Sequence, residues 1–173
     1  MKRILVVALL ALALPRAAWA AQDIFNNERG SISISYSGIE SKGSQMVYCF
    51  GVVPPEHHSL GPISFSTGAL PSGSLETGGK FSPICSSFVV IGRGNYGEPK
   101  GVIFSGNFFG PIKWTLISKT GAVLIFKLTG NIEGIFFNGR MIRASARQTI
   151  VTTEEQLAKG IGHIASDRVL VTP

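Results

Sequence analysis

Regular alternation of apolar and polar residues is the feature of this sequence that most restricts its fold. Within residues 31–36, Ile32, Ile34 and Tyr36 alternate with serines, and this period of two is typical of a half-buried β-strand. Further candidate strands are residues 45–53, 63–66, 88–91, 102–109, 112–117, 122–129, 132–137 and 141–151. No long segment of the sequence has a helical period, so we predict an all-β fold.

Turn-forming residues separate the candidate strands. Asn138–Gly139 lies between two apolar runs and predicts a tight hairpin, because both residue types tolerate positive φ. Lys119–Gly121 predicts a second hairpin and Gly110–Pro111 a tight corner. Turns spaced by about 8–12 residues favour an antiparallel β-sandwich of about eight to ten strands, with a closed β-barrel as the alternative.

The first twenty residues have the composition of a secretory signal peptide. Lys2 and Arg3 precede an apolar run over residues 4–14, and Ala18-Trp19-Ala20 supplies the small residues of a cleavage site. The run is shorter than the roughly 20 apolar residues of a membrane-spanning helix. We therefore expect residues 1–20 to be cleaved and the protein to be secreted or periplasmic.

The mature chain is predicted to consist of one β-sandwich domain, residues 21–151, and a C-terminal tail, residues 152–173. In the tail, Thr153 and Gln156 fit a capping box, and Gly160 is placed to end a short helix. For residues 168–171, a last strand and a frayed tail both remain open.

Removal of the signal peptide lowers the net charge from +6 to +3, because Lys2, Arg3 and Arg16 leave with it. This weak charge disfavours nucleic acid as a partner. The mature chain has no second apolar run of spanning length, so we expect no membrane span. In an oxidising compartment Cys49 and Cys85 are expected to form a disulfide, with two separate buried thiols as the alternative.

The search for catalytic motifs gives no specific match. Gly92–Gly97 fits G-x-G-x-x-G, but Glu98–Pro99 follows instead of a helix, so we interpret it as a loop. Nucleophile-elbow, H-E-x-x-H and S-x-x-K patterns do not occur. We expect no enzyme activity, cofactor, metal ligand or catalytic residue. The alternative is a hydrolase with a site around Glu133 or the histidines His57, His58 and His163.

Charged residues in the candidate strands indicate a possible binding face. They fall opposite the apolar sets, so neighbouring strands would form a mildly basic outer surface, able to meet an acidic polysaccharide or membrane lipid. The alternative is a face that only solubilises the domain. The residues are Lys113, Lys127, Arg143 and Arg147.

Two aromatic pairs provide further candidates. Phe108–Phe109 and Phe136–Phe137 must divide between the two faces of their strands. Phe109 and Phe137 are therefore candidates for a partner interface or a sugar-stacking platform, and a covering loop is the alternative.

A short internal echo links residues 104–110 with residues 128–134. Both have the order apolar, hydroxyl, Gly, Asn, apolar, any residue, Gly. We interpret the copies as two equivalent hairpin edges, where Gly-Asn permits a bulge or a sharp bend.

Residues 73–81, 101–106 and 110–116 together form the run GSL-TGG-F … G-VIFSG-F-GP--WTL. This run resembles uncharacterised bacterial secreted proteins with a Gly/Thr-rich β-sandwich domain, and the likeness covers residues 73–137. The resemblance implies export and β architecture. It implies no site, because that group has no established activity.

The preferred function is an exported, non-catalytic interaction or structural domain that recognises cell-surface carbohydrate or another extracytoplasmic protein. The alternative is a β-barrel that binds a small apolar ligand. Such a barrel would need a hollow interior lined by Phe104, Trp114 and Phe126.

Overall fold

The computed structural model describes residues 23–28, 30–49, 57–94 and 99–172. These residues form eleven β-strands and one short helix: β1 (Asp23–Glu28), β2 (Gly30–Ser35), β3 (Gly38–Cys49), β4 (His57–Ser66), β5 (Ser72–Ser74), β6 (Gly78–Phe81), β7 (Ser87–Gly92), β8 (Gly101–Thr120), β9 (Val123–Phe136), β10 (Met141–Thr153), α1 (Glu154–Ala158) and β11 (Ile161–Thr172). The predicted signal peptide, residues 1–20, lies outside the described residues. No helix in the described part of the chain is long and apolar enough to cross a membrane.

The strands form one antiparallel sheet that closes into an eight-stranded barrel. Around the barrel the order is β8, β7, β4, β3, β1 with β2, β11, β10 and β9, and β9 pairs with β8 again. β1 and β2 share one position between β3 and β11. β5 and β6 form a hairpin attached to the second half of β8. The all-β prediction is confirmed; the predicted sandwich is replaced by its alternative, a closed barrel.

Glycines that face the lumen explain how the long strands can curve enough to close. Gly106 of β8 lies opposite Gly134 of β9. A Cβ atom on Gly134 would lie 2.3 Å from the carbonyl oxygen of Ser105, so the two backbones approach more closely than side chains allow. Such glycines permit sharp bends in barrel strands. The two copies of the internal echo therefore lie within β8 and β9 and pair with each other, instead of forming hairpin edges.

Side chains fill the lumen at the level of its aromatic rings. Phe104, Trp114 and Phe126 are 7%, 1% and 0% exposed. Trp114 stacks on Phe126 with 4.2 Å between ring centroids, and Phe104 meets Phe88 edge to face at 6.1 Å. The residues expected to line a hollow interior thus pack against other rings.

The observed turns agree with most of the turn predictions. Asn138–Gly139 lies in the turn between β9 and β10, and the hairpin predicted at Lys119–Gly121 forms between β8 and β9, with Gly121 in its turn. Of the Gly92–Gly97 motif, Gly92 ends β7 and the next two residues follow the strand without helix, whereas residues 95–98 lie outside the described part. Gly110–Pro111 is not a corner: it forms a bulge inside β8, where the register shifts between Phe109 and Lys113.

The C-terminal segment completes the barrel. Thr153 and Gln156 form the predicted capping box at the start of α1, and Gly160 follows the helix with φ +73°. β11 then pairs with β10 on one side and with β1 and β2 on the other. Of the two possibilities left open for this segment, the structure has the strand, and the barrel extends to Thr172.

The predicted Cys49–Cys85 disulfide is wrong, because Cys85 has a free, exposed thiol. Cys85 lies two residues before Ser87, which pairs with Ser66, and Ser66 pairs with Glu40 near the start of β3. Cys49 ends the same strand. It lies nine positions after Glu40, a distance of about 30 Å at the rise of a β-strand. A disulfide requires Cα atoms within about 7 Å.

Candidate functional site

The candidate site lies on the outer surface of β8, β9 and β10. These three strands are neighbours in the barrel, and their alternate residues are buried in the lumen. The basic residues predicted for a binding face therefore share one outer surface. Lys113, Arg143 and Arg147 are exposed and Lys127 is half-buried.

Two of these four basic residues lie at one level of the hydrogen-bond ladder. Lys113 lies opposite Thr129, and Thr129 lies opposite Arg147, which places the two basic residues about 10 Å apart at the usual strand spacing. Next to Lys113, β6 adds the exposed Lys80 at the same level. We call Lys80, Lys113 and Arg147 the basic row. Lys80 was missed from the sequence, because only the strand register brings it to this level.

A groove of about 280 Å³ opens between Lys113 and Arg147. The β8 bulge contributes to it, because residues 110–112 of β8 face a single residue of β9, Gly130. Besides the two basic residues, the groove is lined by Pro111, Thr129, Gly130, Asn131, Ser145 and Ala146. Thr129 thus lies between the two cations, and Asn131 and Ser145 pair with each other at the next level.

The cations of the groove have no acidic partner in the described part of the chain. No described carboxylate forms an ion pair with Lys113, Lys127 or Arg147. Glu133, on the same outer face, pairs with Arg143 at 3.3 Å between Oε2 and Nε. The groove therefore combines positive charge with polar groups that can donate hydrogen bonds to an anion.

The two candidate aromatic residues have different surroundings. Phe109 is half-buried, and the guanidinium of Arg143 lies over its ring, 5.5 Å from the centroid. Phe137 is 54% exposed and lies six residues along the chain from Asn131, about 20 Å away in extended backbone. The structure thus places Phe109 beside the groove and Phe137 outside it.

Glu133 and His163, the two groups named for a hydrolytic site whose side chains are described, do not converge. Glu133 pairs with Arg143 and His163 with Val151 in the two ladders of β10, and these positions are eight residues or about 26 Å apart. His57 and His58 begin β4, and their side chains lie outside the described part. Among the described residues, no three His, Cys, Asp or Glu side chains gather as metal ligands would.

A second cavity, of about 440 Å³, lies beside α1 at the end of the barrel. Its apolar lining comes from Leu116, Leu124, Leu157 and Ala158, and its polar lining from Glu76, Thr77, Lys119 and Glu154. Lys119 and Glu154 form an ion pair with each other. This cavity is more apolar than the groove and is separated from it along β8.

No known protein family, curated protein or solved structure matches this chain. The geometry of the barrel and its surface is therefore the basis for the functional interpretation.

Proposed function

We propose that this barrel is an exported, non-catalytic binding protein that recognises an acidic carbohydrate in the groove between Lys113 and Arg147. The observation that carries this proposal is the basic row, in which Lys113 and Arg147 lie on either side of Thr129. Arg binds carboxylate or sulfate groups through paired N–H donors, and Lys adds a second positive charge.

The polar lining of the groove favours a sugar over a simple anion. Thr129, Asn131 and Ser145 line the groove with hydroxyl and amide groups next to the two cations. An acidic sugar carries a charged group together with hydroxyl groups that both donate and accept hydrogen bonds, so it can engage both kinds of partner. The site is built on strands, which hold it rigidly and lower the entropy lost on binding.

Export is supported by the N-terminal sequence. Lys2, Arg3, the apolar run and the small residues before Ala21 have the order of a cleaved signal peptide. Fractionation of cells that express the full chain should place it outside the cytoplasm, with a mature N-terminus at Ala21. Cytoplasmic protein that retains residues 1–20 would contradict this part of the proposal.

Binding is tested by calorimetry on the mature chain with a polyuronate, and with dextran as a neutral polysaccharide. We expect the polyuronate to bind and dextran not to bind. The Lys113→Gln/Arg147→Gln variant should bind the polyuronate at least about tenfold more weakly, because it loses two charge-assisted contacts. Lys159→Gln, which removes one positive charge directly after α1, is the control and should bind normally. Equal binding of dextran, or an unchanged affinity in the double variant, would refute the site.

A second candidate function is the binding of a small apolar ligand in the cavity beside α1. Its volume of about 440 Å³ lies within the range of small-molecule sites, and three leucines line it. Ala158→Trp would fill this cavity from an exposed position. If a fluorescent fatty acid binds here, Ala158→Trp should abolish its binding while Lys113→Gln/Arg147→Gln leaves it unchanged.

A further inference from the structure

The end of the barrel formed by the β7–β8 and β9–β10 connections carries a group of exposed apolar side chains. We call this group the apolar end patch; its members are Ile91 (39% exposed), Val102 (54%), Ile135 (55%), Phe137 (54%) and Met141 (68%). None of them belongs to the groove of the proposed function.

Strand register shows that these residues are neighbours. Ile91 of β7 lies opposite Val102 of β8, and Ile135 of β9 lies opposite Met141 of β10. Phe137 connects the two pairs, because its N–H donates to the carbonyl oxygen of Ile103, next to Val102, at 2.7 Å. The patch thus extends over four adjacent strands.

Such clustering differs from the usual scatter of exposed apolar residues. Of the ten large hydrophobic residues found exposed in the described part of the chain, these five share one end of the barrel. Isolated exposed apolar residues are ordinary, whereas a contiguous patch with a polar border marks an interaction surface.

The border of the patch is basic. Arg93, Lys100 and Arg140 are exposed and lie directly next to the patch strands, in the connections that follow β7, precede β8 and precede β10. Glu133, the described acidic residue nearest in sequence to the patch, is already paired with Arg143. Glu98 lies outside the described residues. Apolar side chains next to these exposed cations complement the interface of an anionic bilayer, where acyl chains adjoin negatively charged headgroups.

We propose that the apolar end patch docks the barrel onto an anionic phospholipid bilayer. Phe137 and Met141 enter the boundary between headgroups and acyl chains, while Lys100 and Arg140 contact lipid phosphates. The groove lies further along β8, β9 and β10, so its binding of carbohydrate does not depend on this contact.

The test is co-sedimentation with vesicles, using the chain without residues 1–20. Residues 23–172 provide every strand of the barrel, and the apolar run at the N-terminus would itself bind lipid. We expect binding to vesicles of phosphatidylcholine with phosphatidylglycerol and at least about tenfold weaker binding to phosphatidylcholine alone, because each basic residue near an anionic surface adds about fivefold.

Two variants identify the surface. Phe137→Ser/Met141→Ser should weaken vesicle binding at least about tenfold, because two apolar side chains no longer enter the bilayer. Ile117→Ser/Val123→Ser changes residues of similar character, 54% and 41% exposed, near the opposite end of β8 and β9, and should bind normally. Circular dichroism verifies that both variants remain folded.

Three results would overturn the proposal. The first is failure of the unchanged protein to sediment with the anionic vesicles. The second is equal loss of binding in both double variants. The third is self-association that Phe137→Ser/Met141→Ser abolishes, without vesicle binding, because the patch would then join two copies of the chain.

The basic border is tested separately. Lys100→Glu/Arg140→Glu should reduce binding to the anionic vesicles, and unchanged binding would contradict the role of the basic border.

Discussion

The rings of Trp114 and Phe126 lie face to face in the lumen, with centroids 4.2 Å apart and planes inclined by 10°. They come from β8 and β9, where Trp114 pairs with Leu128 and Phe126 with Leu116, so the stacked rings are diagonal neighbours. The indole Nε1–H of Trp114 donates to the carbonyl oxygen of Leu75 at 2.8 Å. This one side chain therefore links the lumen to the turn between β5 and β6.

Replacement of Phe126 by Ala should lower the free energy of unfolding by about 3–5 kcal/mol, because it leaves a cavity beside the indole. The chain has two tryptophans, Trp19 and Trp114, so in the mature chain the fluorescence of Trp114 alone reports unfolding in urea. Val123→Ala on the same strand, at a position 41% exposed, is the control and should change stability by less than about 1 kcal/mol. A loss below about 1 kcal/mol in Phe126→Ala would mean that the lumen is loosely packed.

The close approach of β8 and β9 is tested at Gly134. An added methyl group would lie 2.3 Å from the carbonyl oxygen of Ser105 and 2.5 Å from the Cα atom of Gly106. Because backbone must move to admit it, Gly134→Ala should destabilise the barrel by about 3 kcal/mol. At Gly139 no heavy atom lies within 4 Å of the added Cβ and φ is +80°, so Gly139→Ala should cost only about 1 kcal/mol of conformational strain. Urea unfolding of both variants measures the difference, and equal losses would exclude steric crowding at Gly134.

The sequence was informative about local structure because local chemistry determines it. Alternating residues mark strands, Asn138–Gly139 favours positive φ in a hairpin, and the Thr153–Gln156 box caps α1. The choice between sandwich and barrel depends instead on which strands meet across the sheet. Both folds bury every second residue, so alternation alone does not distinguish them.

The candidate site was predictable from the sequence only in part. Lys113 and Arg147 were identified because they oppose apolar residues on their own strands. Lys80 and Thr129 join them only through the register of β6, β8 and β9, which is set by contacts distant in sequence. The Cys49–Cys85 prediction failed for this reason too, because compartment chemistry favours pairing but does not determine distance.

The free thiol of Cys85 leads to a prediction about stability. Because Cys85 is exposed and forms no disulfide, Cys85→Ser should change the free energy of unfolding by less than about 0.5 kcal/mol. Loss of a disulfide would instead cost about 2–5 kcal/mol. Urea unfolding of the oxidised mature protein measures the difference. Ser86→Ala serves as a reference variant, because it removes a hydroxyl that accepts a hydrogen bond from the Phe108 amide at 3.1 Å. If Cys85→Ser instead lowers the free energy of unfolding by about 2 kcal/mol or more, Cys85 forms a disulfide.

Glu133 offers a test that separates binding from hydrolysis. Its carboxylate holds Arg143 at 3.3 Å on the outer face that bears the groove. Glu133→Gln removes that negative charge and releases the guanidinium, so the affinity for a polyuronate should rise about threefold at low salt and less at high salt. Glu76→Gln, in the exposed turn between β5 and β6, makes the same change in net charge and should leave affinity unchanged.

A hydrolase that uses Glu133 as an acid or base would instead lose its activity in Glu133→Gln. Calorimetry should therefore show tighter binding if the protein is a binding protein, whereas an assay for released reducing ends should show lost activity if it is such a hydrolase. Weaker binding by Glu133→Gln would contradict the proposed role of the groove.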